Sequence, residues 1–359
     1  MRVSVLDQSP ISEGQAGPDA LAHSVELASL ADELGFHRYW VAEHHGGGML
    51  AGASPEVLIA RLGAATDGIR IGSGGVMLPH YSPLKVAETF TILAGLFPGR
   101  VDLGIGRAAG TDPLTTYALQ RDRRQAAPDD FPDQLSELLA YLNDDLPADH
   151  PFARLAATLP GLPERPEPWL LGSSPQSAIW AGQLGLPYMF ADFISPHSEA
   201  LAATYREHWA AAGHPADRQP RVGVAVWAVC ADTEAEARRL AASSRMTFRL
   251  LRQGRLIKVP TPETALAYLE RQGEGDQAWI PGRRAIIGTP DQVRAGLESA
   301  AAGYGADEVM VVTITYDHLA RLHSYALIAE ACDLTPREGS ADLTRSVSPA
   351  LVGHDLHAD

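Results

Sequence analysis

Short runs of β-favouring residues alternate with helical patterns along nearly the whole chain, and this alternation constrains the fold more than any other feature. The first run is Val3-Ser4-Val5-Leu6. Over residues 18–34, Leu21, Val25, Ala28 and Ala31 recur at three- and four-residue spacing beside Leu27, Leu30 and Leu34, which marks one apolar helical face. Pro18 suits the first helical position and Gly35 the position just past the end. Strands follow at 39–42, 69–72, 101–105, 169–171, 188–190, 222–229 and 309–313. Helical patterns lie between or after them at 55–66, 83–96, 131–142, 175–184, 198–212 and 318–332. Eight strands in this rhythm predict a (β/α)8 TIM barrel with insertions, a single domain over 1–335. An open, doubly wound sheet is the alternative topology. The main insertion, 248–284, falls between strands seven and eight, at the rim of such a barrel. Its Gly273, Gly275, Pro281 and Gly282 suggest a mobile lid. Residues 336–359 are polar and read as a flexible C-terminal tail.

Composition narrows the partners. The 359 residues carry a net charge of −15 with no block of Lys or Arg to offset it. Nucleic acid and anionic membrane surfaces are poor partners for such a chain, and a phosphate needs a local site working against the overall field. Hydrophobic residues make up 45%, enough for a cofactor-sized core, but no stretch approaches the roughly 20 apolar residues of a membrane span. The N-terminus enters a strand without a signal-peptide pattern. The two cysteines, Cys230 and Cys332, have no metal-ligand or disulfide spacing and read as buried free thiols in a reducing compartment. A cytoplasmic protein is expected.

In a barrel, chemistry sits where strands end and loops begin. Strand one delivers Asp7, Gln8 and Ser9 there, and strand two delivers Glu43, His44 and His45. Histidine titrates near neutral pH, so His44 and His45 are candidate proton-transfer residues. A structural histidine pair is the rival reading. A metal site is weaker still, because adjacent strand residues face opposite ways and no third ligand is evident. Strand five ends in Gly-Ser-Ser-Pro-Gln-Ser at 172–177, before a helix. Ser174 and Ser177 there could cradle a phosphate or simply cap the helix. Arg107, ending strand four, offers a donor fork for the same anion. Gly104 and Gly106 alternate on that strand, leaving room for a flat ring or marking tight packing.

Taken in order, Tyr-Trp-Val-Ala-Glu-His-His at 39–45, Ile-Gly-Ser-Gly-Gly-Val-Met-Leu-Pro at 71–79 and Gly-Arg-Val-Asp-Leu-Gly-Ile-Gly-Arg at 99–107 resemble the bacterial luciferase-like flavin monooxygenases. So do Gly-Thr-Pro-Asp-Gln-Val at 288–293 and Ala-Asp-Glu-Val-Met-Val-Val-Thr at 306–313. The match is to the single-chain, non-luminescent branch. The resemblance implies FMN as cofactor, reduced to FMNH2 by a separate flavin reductase, and O2 and a small apolar or aldehyde-like carbonyl substrate oxygenated through a flavin C4a-peroxide. It implies His44 as the proton-transfer residue, with His45 shaping the site, and Gly74, Gly75, Gly106, Arg107, Ser174 and Ser177 around the flavin. It also implies a non-proline cis peptide at Gly74-Gly75, and a homodimer through helices near strands two and three, where Ala60, Ala64 and Ala65 are small enough for close packing. Light-emitting members carry a cysteine where Gly106 stands and a tryptophan where Asp192 stands, so light emission is not expected. Two other readings remain on the same barrel: a deazaflavin-dependent dehydrogenase and a non-catalytic flavin-binding protein.

Overall fold

The computed structural model describes residues 1–108, 111–120, 123–124, 130–274 and 284–337. In chain order the elements are β1 (Arg2–Asp7), α1 (Gly17–Glu33), β2 (Arg38–Val41), α2 (Pro55–Gly63), β3 (Arg70–Met77), α3 (Pro83–Leu96) and β4 (Val101–Gly106). Then come α4 (Pro113–Leu119), α5 (Phe131–Asn143), α6 (Ala153–Ala156), β5 (Glu167–Gly172), α7 (Pro175–Leu184), β6 (Tyr188–Ala191), α8 (Ala200–Ala212) and β7 (Val222–Cys230). The chain continues through α9 (Glu234–Arg252), α10 (Pro262–Arg271), β8 (Ala285–Gly288), α11 (Pro290–Tyr304), β9 (Glu308–Val312) and α12 (His318–Ala331).

All strand pairings are parallel. β1 to β6 pair in sequence, β6 pairs with β7, β7 with β9, and β9 closes the circle on β1. This is the predicted (β/α)8 barrel. The sequence reading missed β8, a ninth strand. It pairs only with the end of β7, where Trp227 faces Val312 on one edge and Ala285 on the other. β8 thus extends the edge that β6 leaves at Ala225.

Many helices open on the same local chemistry. Ser82-Pro83, Ser174-Pro175, Thr261-Pro262 and Asp112-Pro113 put a short polar residue at the cap and a proline where no amide hydrogen is needed. Strand parity then separates two cores. Val3, Val5, Tyr39, Val41, Ile71, Leu103, Val224 and Val309 face the helices. Leu6, Trp40, Trp169, Met189, Ala225 and Met310 fill the barrel interior.

The interior floor is charged. Arg38, almost fully buried, donates from Nη1 to Asp102 at 2.6 Å and from Nε to Glu308 at 2.7 Å. Arg70 binds the other Asp102 oxygen, and Arg221 pairs with Glu167 at 2.5 Å. Trp40 donates its indole hydrogen to Asp102 at 2.9 Å, and the Trp169 ring centre lies 4.6 Å from the Arg38 guanidinium. Burial alone would lower the Arg38 pKa, but Asp102 and Glu308 outweigh it and raise it, so the charge persists. Packed under two indoles, this plug closes the N-terminal end of the barrel and leaves the C-terminal mouth open.

Three sequence expectations change. Strand three does not stop at Gly72 but runs to Met77, so Gly74 and Gly75 lie within it, at a register shift against β4. The predicted helix 55–66 ends at Gly63. The insertion expected as a lid contains regular elements. Phe248 belongs to α9, α10 follows, and Val259 exchanges hydrogen bonds with Ile11 (2.9 Å) and Glu13 (2.8 Å) beside β1. The remainder of that segment, 275–283, lies outside the described residues, as does the predicted tail from 338 on. No described helix is long and apolar enough to cross a membrane.

Arg38→Met leaves Asp102 and Glu308 short of a buried cation. It should cost about 3–5 kcal/mol of stability, read as a lowered urea midpoint with an unchanged slope.

Candidate active site

Three loops wall the open mouth, and backbone hydrogen bonds join them. The His44 amide donates to Gly52, the Ala51 amide to Ser9 and the Ile11 amide to Met49, at 2.8–2.9 Å. With the Val259 clamp, the segments after β1 and β2 and the α9–α10 connection form one wall. Within it lies a cavity of about 470 Å³, well within the size of small-molecule sites. His44, His45 and Gln8 line one part, and Phe193, Trp227 and Phe248 another. Trp227 and Phe248 are 4.4 Å apart, and the Trp227 indole donates to the Phe193 carbonyl at 3.1 Å. The aromatic part comes from β7, α9 and the loop after β6, so the apolar wall is anchored on regular elements.

The predicted Glu43-His44-His45 cluster lies in the loop just past β2 and divides by its hydrogen bonds. The Glu43 carboxylate is fully buried and accepts from the Met77 amide at 2.9 Å and the Tyr81 hydroxyl at 2.9 Å, with the His45 Nε2 at 2.7 Å. Burial, and then the Glu43 charge, pushes the Tyr81 hydroxyl far above its ordinary range, so it stays a donor. His44 differs. Burial, and secondarily the neighbouring His45, lowers its pKa to about 4, so it is a neutral imidazole at pH 7. Its Nδ1 is inaccessible to solvent and has no hydrogen-bond partner among the described residues. A buried, unsatisfied ring nitrogen beside a cavity is costly unless a ligand or a transferred proton uses it.

The other predicted residues lie nearby but do not line this cavity. The Gly74-Gly75 peptide is cis. A Cβ at Gly75 would lie 2.8 Å from the Gly104 carbonyl oxygen, and one at Gly104 would lie 2.1 Å from that of Ser73. Tight packing of β3 on β4 thus accounts for these glycines. A Cβ at Gly106 would meet the Met77 sulfur at 3.1 Å. Ser174 caps α7, accepting from the Ser177 amide at 3.3 Å. Ser177 is buried, with its hydroxyl 2.6 Å from that of Tyr188. The exposed Arg107 side chain reaches the same helix, its guanidinium 5.4 Å from the Trp180 ring centre. Arg107 thus packs against the middle of α7, while Ser174 is exposed at that helix's N-terminus.

Two readings at strand ends are corrected. Asp7 is fully buried between β1 and α12, paired with Arg321 at 2.6 Å and bonded to the Tyr39 hydroxyl at 2.7 Å. Asp192 does not form a wall of the cavity. It accepts from Tyr304 at 2.9 Å and from Arg284 at 3.1 Å. Sequence reasoning missed Tyr81, Phe193, Trp227 and Phe248. Trp227 had a usable signal, since it shares the inward parity of Ala225 on β7. Tyr81 had none, because a short 3-10 turn at Leu78–His80 carries it into place.

A barrel sealed below, with a neutral buried histidine in an apolar cavity at its open end, defines an enzyme of the (β/α)8 class with its site at the strand C-termini. A sequence model of the luciferase-like monooxygenases matches residues 1–308. The chain is 38% identical to the N-acetyl-S-alkylcysteine monooxygenase of Bacillus subtilis (strain 168), across 92% of this chain and 98% of that protein. It is 43% identical to apo-MsnO8, whose crystal structure superposes with a TM-score of 0.83 over 94% of this chain and 99% of that one. The oxygenating constituent of 3,6-diketocamphane monooxygenase from Pseudomonas putida, a type II Baeyer-Villiger monooxygenase solved with FMN, shares the fold at 21% identity. Its TM-score is 0.70 over 94% of this chain and all of that one. The chain belongs to the luciferase-like monooxygenase family and is a flavin-dependent monooxygenase.

The His44 environment is testable without a ligand. Because its pKa is lowered from 6.5 to about 4, folding favours the neutral ring. The stability this contributes is complete above pH 6.5 and is lost as pH falls from there towards 4. In an NMR titration the His44 ring signals should move near pH 4, and a midpoint near 6.5 would contradict the burial described.

Proposed function

We propose that the cavity holds reduced FMN with a small apolar or carbonyl substrate, and that the enzyme transfers one atom of O2 to that substrate. Reduced FMN, when bound, supplies the two electrons that activate dioxygen, one oxygen entering the substrate and the other leaving as water. The observation that carries this reading is the neutral His44 imidazole, whose side chain lines an apolar cavity. A neutral imidazole in such a setting accepts a proton on a ring nitrogen and returns it, as general acid–base chemistry requires. His45 is assigned to the same proton transfer beside it. Phe193, Trp227 and Phe248 exclude water from the reacting groups.

The flavin phosphate is assigned to the α7 N-terminus, where backbone amides and the Ser174 and Ser177 hydroxyls favour an anion and the Arg107 guanidinium adds positive charge. This is the local site that a chain of net charge −15 needs. Gly74, Gly75 and Gly106 are assigned to the flavin surroundings by the family resemblance; they do not line the cavity itself. Aromatic and aliphatic lining favours an apolar substrate end. In this reading a separate reductase delivers FMNH2 in the cytoplasm. The enzyme is a homodimer formed near β2 and β3, where Val57 and Leu96 are exposed.

The test is oxygen labelling. With reduced FMN, 18O2 and a panel of medium-chain aldehydes, ketones and thioethers, label should enter one product class. His44→Asn should lower product per O2 consumed by about 100-fold, in keeping with a lost general acid–base residue, while reduced-FMN affinity stays unchanged. Unaltered coupling in that variant would remove the role given to His44. Separately, Arg107→Ala should weaken reduced FMN binding about tenfold, the loss of one charge-assisted contact, and leave riboflavin binding unchanged, as measured by anaerobic titration.

A further inference from the structure

Glu43 is fully buried, yet three donor positions converge on it: the Met77 amide, the Tyr81 hydroxyl and the His45 Nε2. An ionised carboxylate only accepts hydrogen bonds. A bare Nε2 lone pair 2.7 Å from that oxygen would be repelled by it, so the ring nitrogen facing Glu43 carries the hydrogen. The same carboxylate holds Met77, the last residue of the strand that contains Gly74 and Gly75. Tyr81 follows one 3-10 turn later, and His80 packs edge-on against His45 with ring centres 5.7 Å apart. One buried group therefore reaches both the histidine-bearing end of β2 and the glycine-bearing end of β3.

We propose that Glu43 is the positioning residue of this site. It fixes His45 as the tautomer that donates from Nε2 and carries its lone pair on Nδ1, and it ties that ring to the end of β3. Its effect on turnover rests on the proposed part of His45 in proton transfer, whereas its effect on the ring form does not. The arrangement parallels the carboxylates that set the tautomer of catalytic histidines in hydrolases, where the isosteric amide keeps the fold and loses the rate.

The experiment reads the ring directly. Long-range 15N–1H imidazole spectra are recorded at pH 8.5, and the His45 signals are assigned by their absence in His45→Gln. The parent should show the Nε2–H form. Glu43→Gln turns an amide NH2 towards the ring, so the hydrogen should move to Nδ1. Tyr81→Phe keeps the carboxylate and should keep the parent form. An Nδ1–H ring in the parent protein overturns the proposal without recourse to any variant. So does an unchanged tautomer in folded Glu43→Gln. In turnover with reduced FMN, Glu43→Gln should lose at least about tenfold in kcat with KM within about twofold, the pattern of a lost transition-state interaction. A tautomer switch without any change in kcat would sustain the positioning role and remove His45 from the proposed chemistry.

Discussion

The Arg38 guanidinium, held between Asp102 and Glu308 inside the barrel, is the interaction on which the rest of the molecule depends. Three strands contribute to it, β2, β4 and β9, which lie apart in sequence and meet only when the sheet closes. Bringing a cation and two carboxylates out of water is expensive, and their mutual attraction repays the cost only with close geometry and saturated hydrogen bonds. Here Ser4 satisfies Glu308 at 2.6 Å, while Trp40 and Arg70 satisfy Asp102. Strand register is thereby specified at the bottom of the barrel, because a slip of one residue would turn these charges towards the apolar helices. The indoles of Trp40 and Trp169 lie against the cluster, and the interior becomes accessible only above them.

That asymmetry decides where chemistry can occur. Above the plug the mouth is walled by loops that hydrogen-bond to one another. Glu43 has at the top of β2 a part analogous to that of Arg38 at the bottom. A single buried carboxyl group joins neighbouring strands, this time by gathering donors from β3, the turn after it and His45. His44, the next residue, has no partner on Nδ1 among the described residues. A saturated carboxylate and an unsatisfied imidazole thus stand at consecutive positions.

The sequence made the barrel legible because parallel strands buried on both faces read as apolar runs, and because Pro and Gly punctuate the helices. It misjudged β3, whose Ser73-Gly74-Gly75 stretch lacks the β-branched residues that signal a strand, although close approach to Gly104 is what permits the strand to continue. It missed β8, four residues paired on one edge only. The rim rule located His44 and His45, since their place follows from strand ends alone. Asp7 and Asp192 sit at equivalent ends yet turn to Arg321 and Arg284, and no local pattern distinguishes a carboxylate that faces the mouth from one that faces a helix. Tyr81 and Phe248 reach the site through a turn and a long helix, so their contribution depends on tertiary geometry that periodicity does not encode.

The central claim is that the open mouth of this barrel is built for reduced FMN, with its phosphate at the α7 N-terminus and its reactive part near His44. The most direct measurement is an anaerobic titration of the protein with reduced FMN and, in parallel, with reduced deazaflavin F420, following the fluorescence of Trp227 by difference from Trp227→Phe. The account predicts saturable quenching by reduced FMN that is much tighter than for F420. Preferential binding of F420, or quenching that leaves Trp227 unaffected, would contradict it.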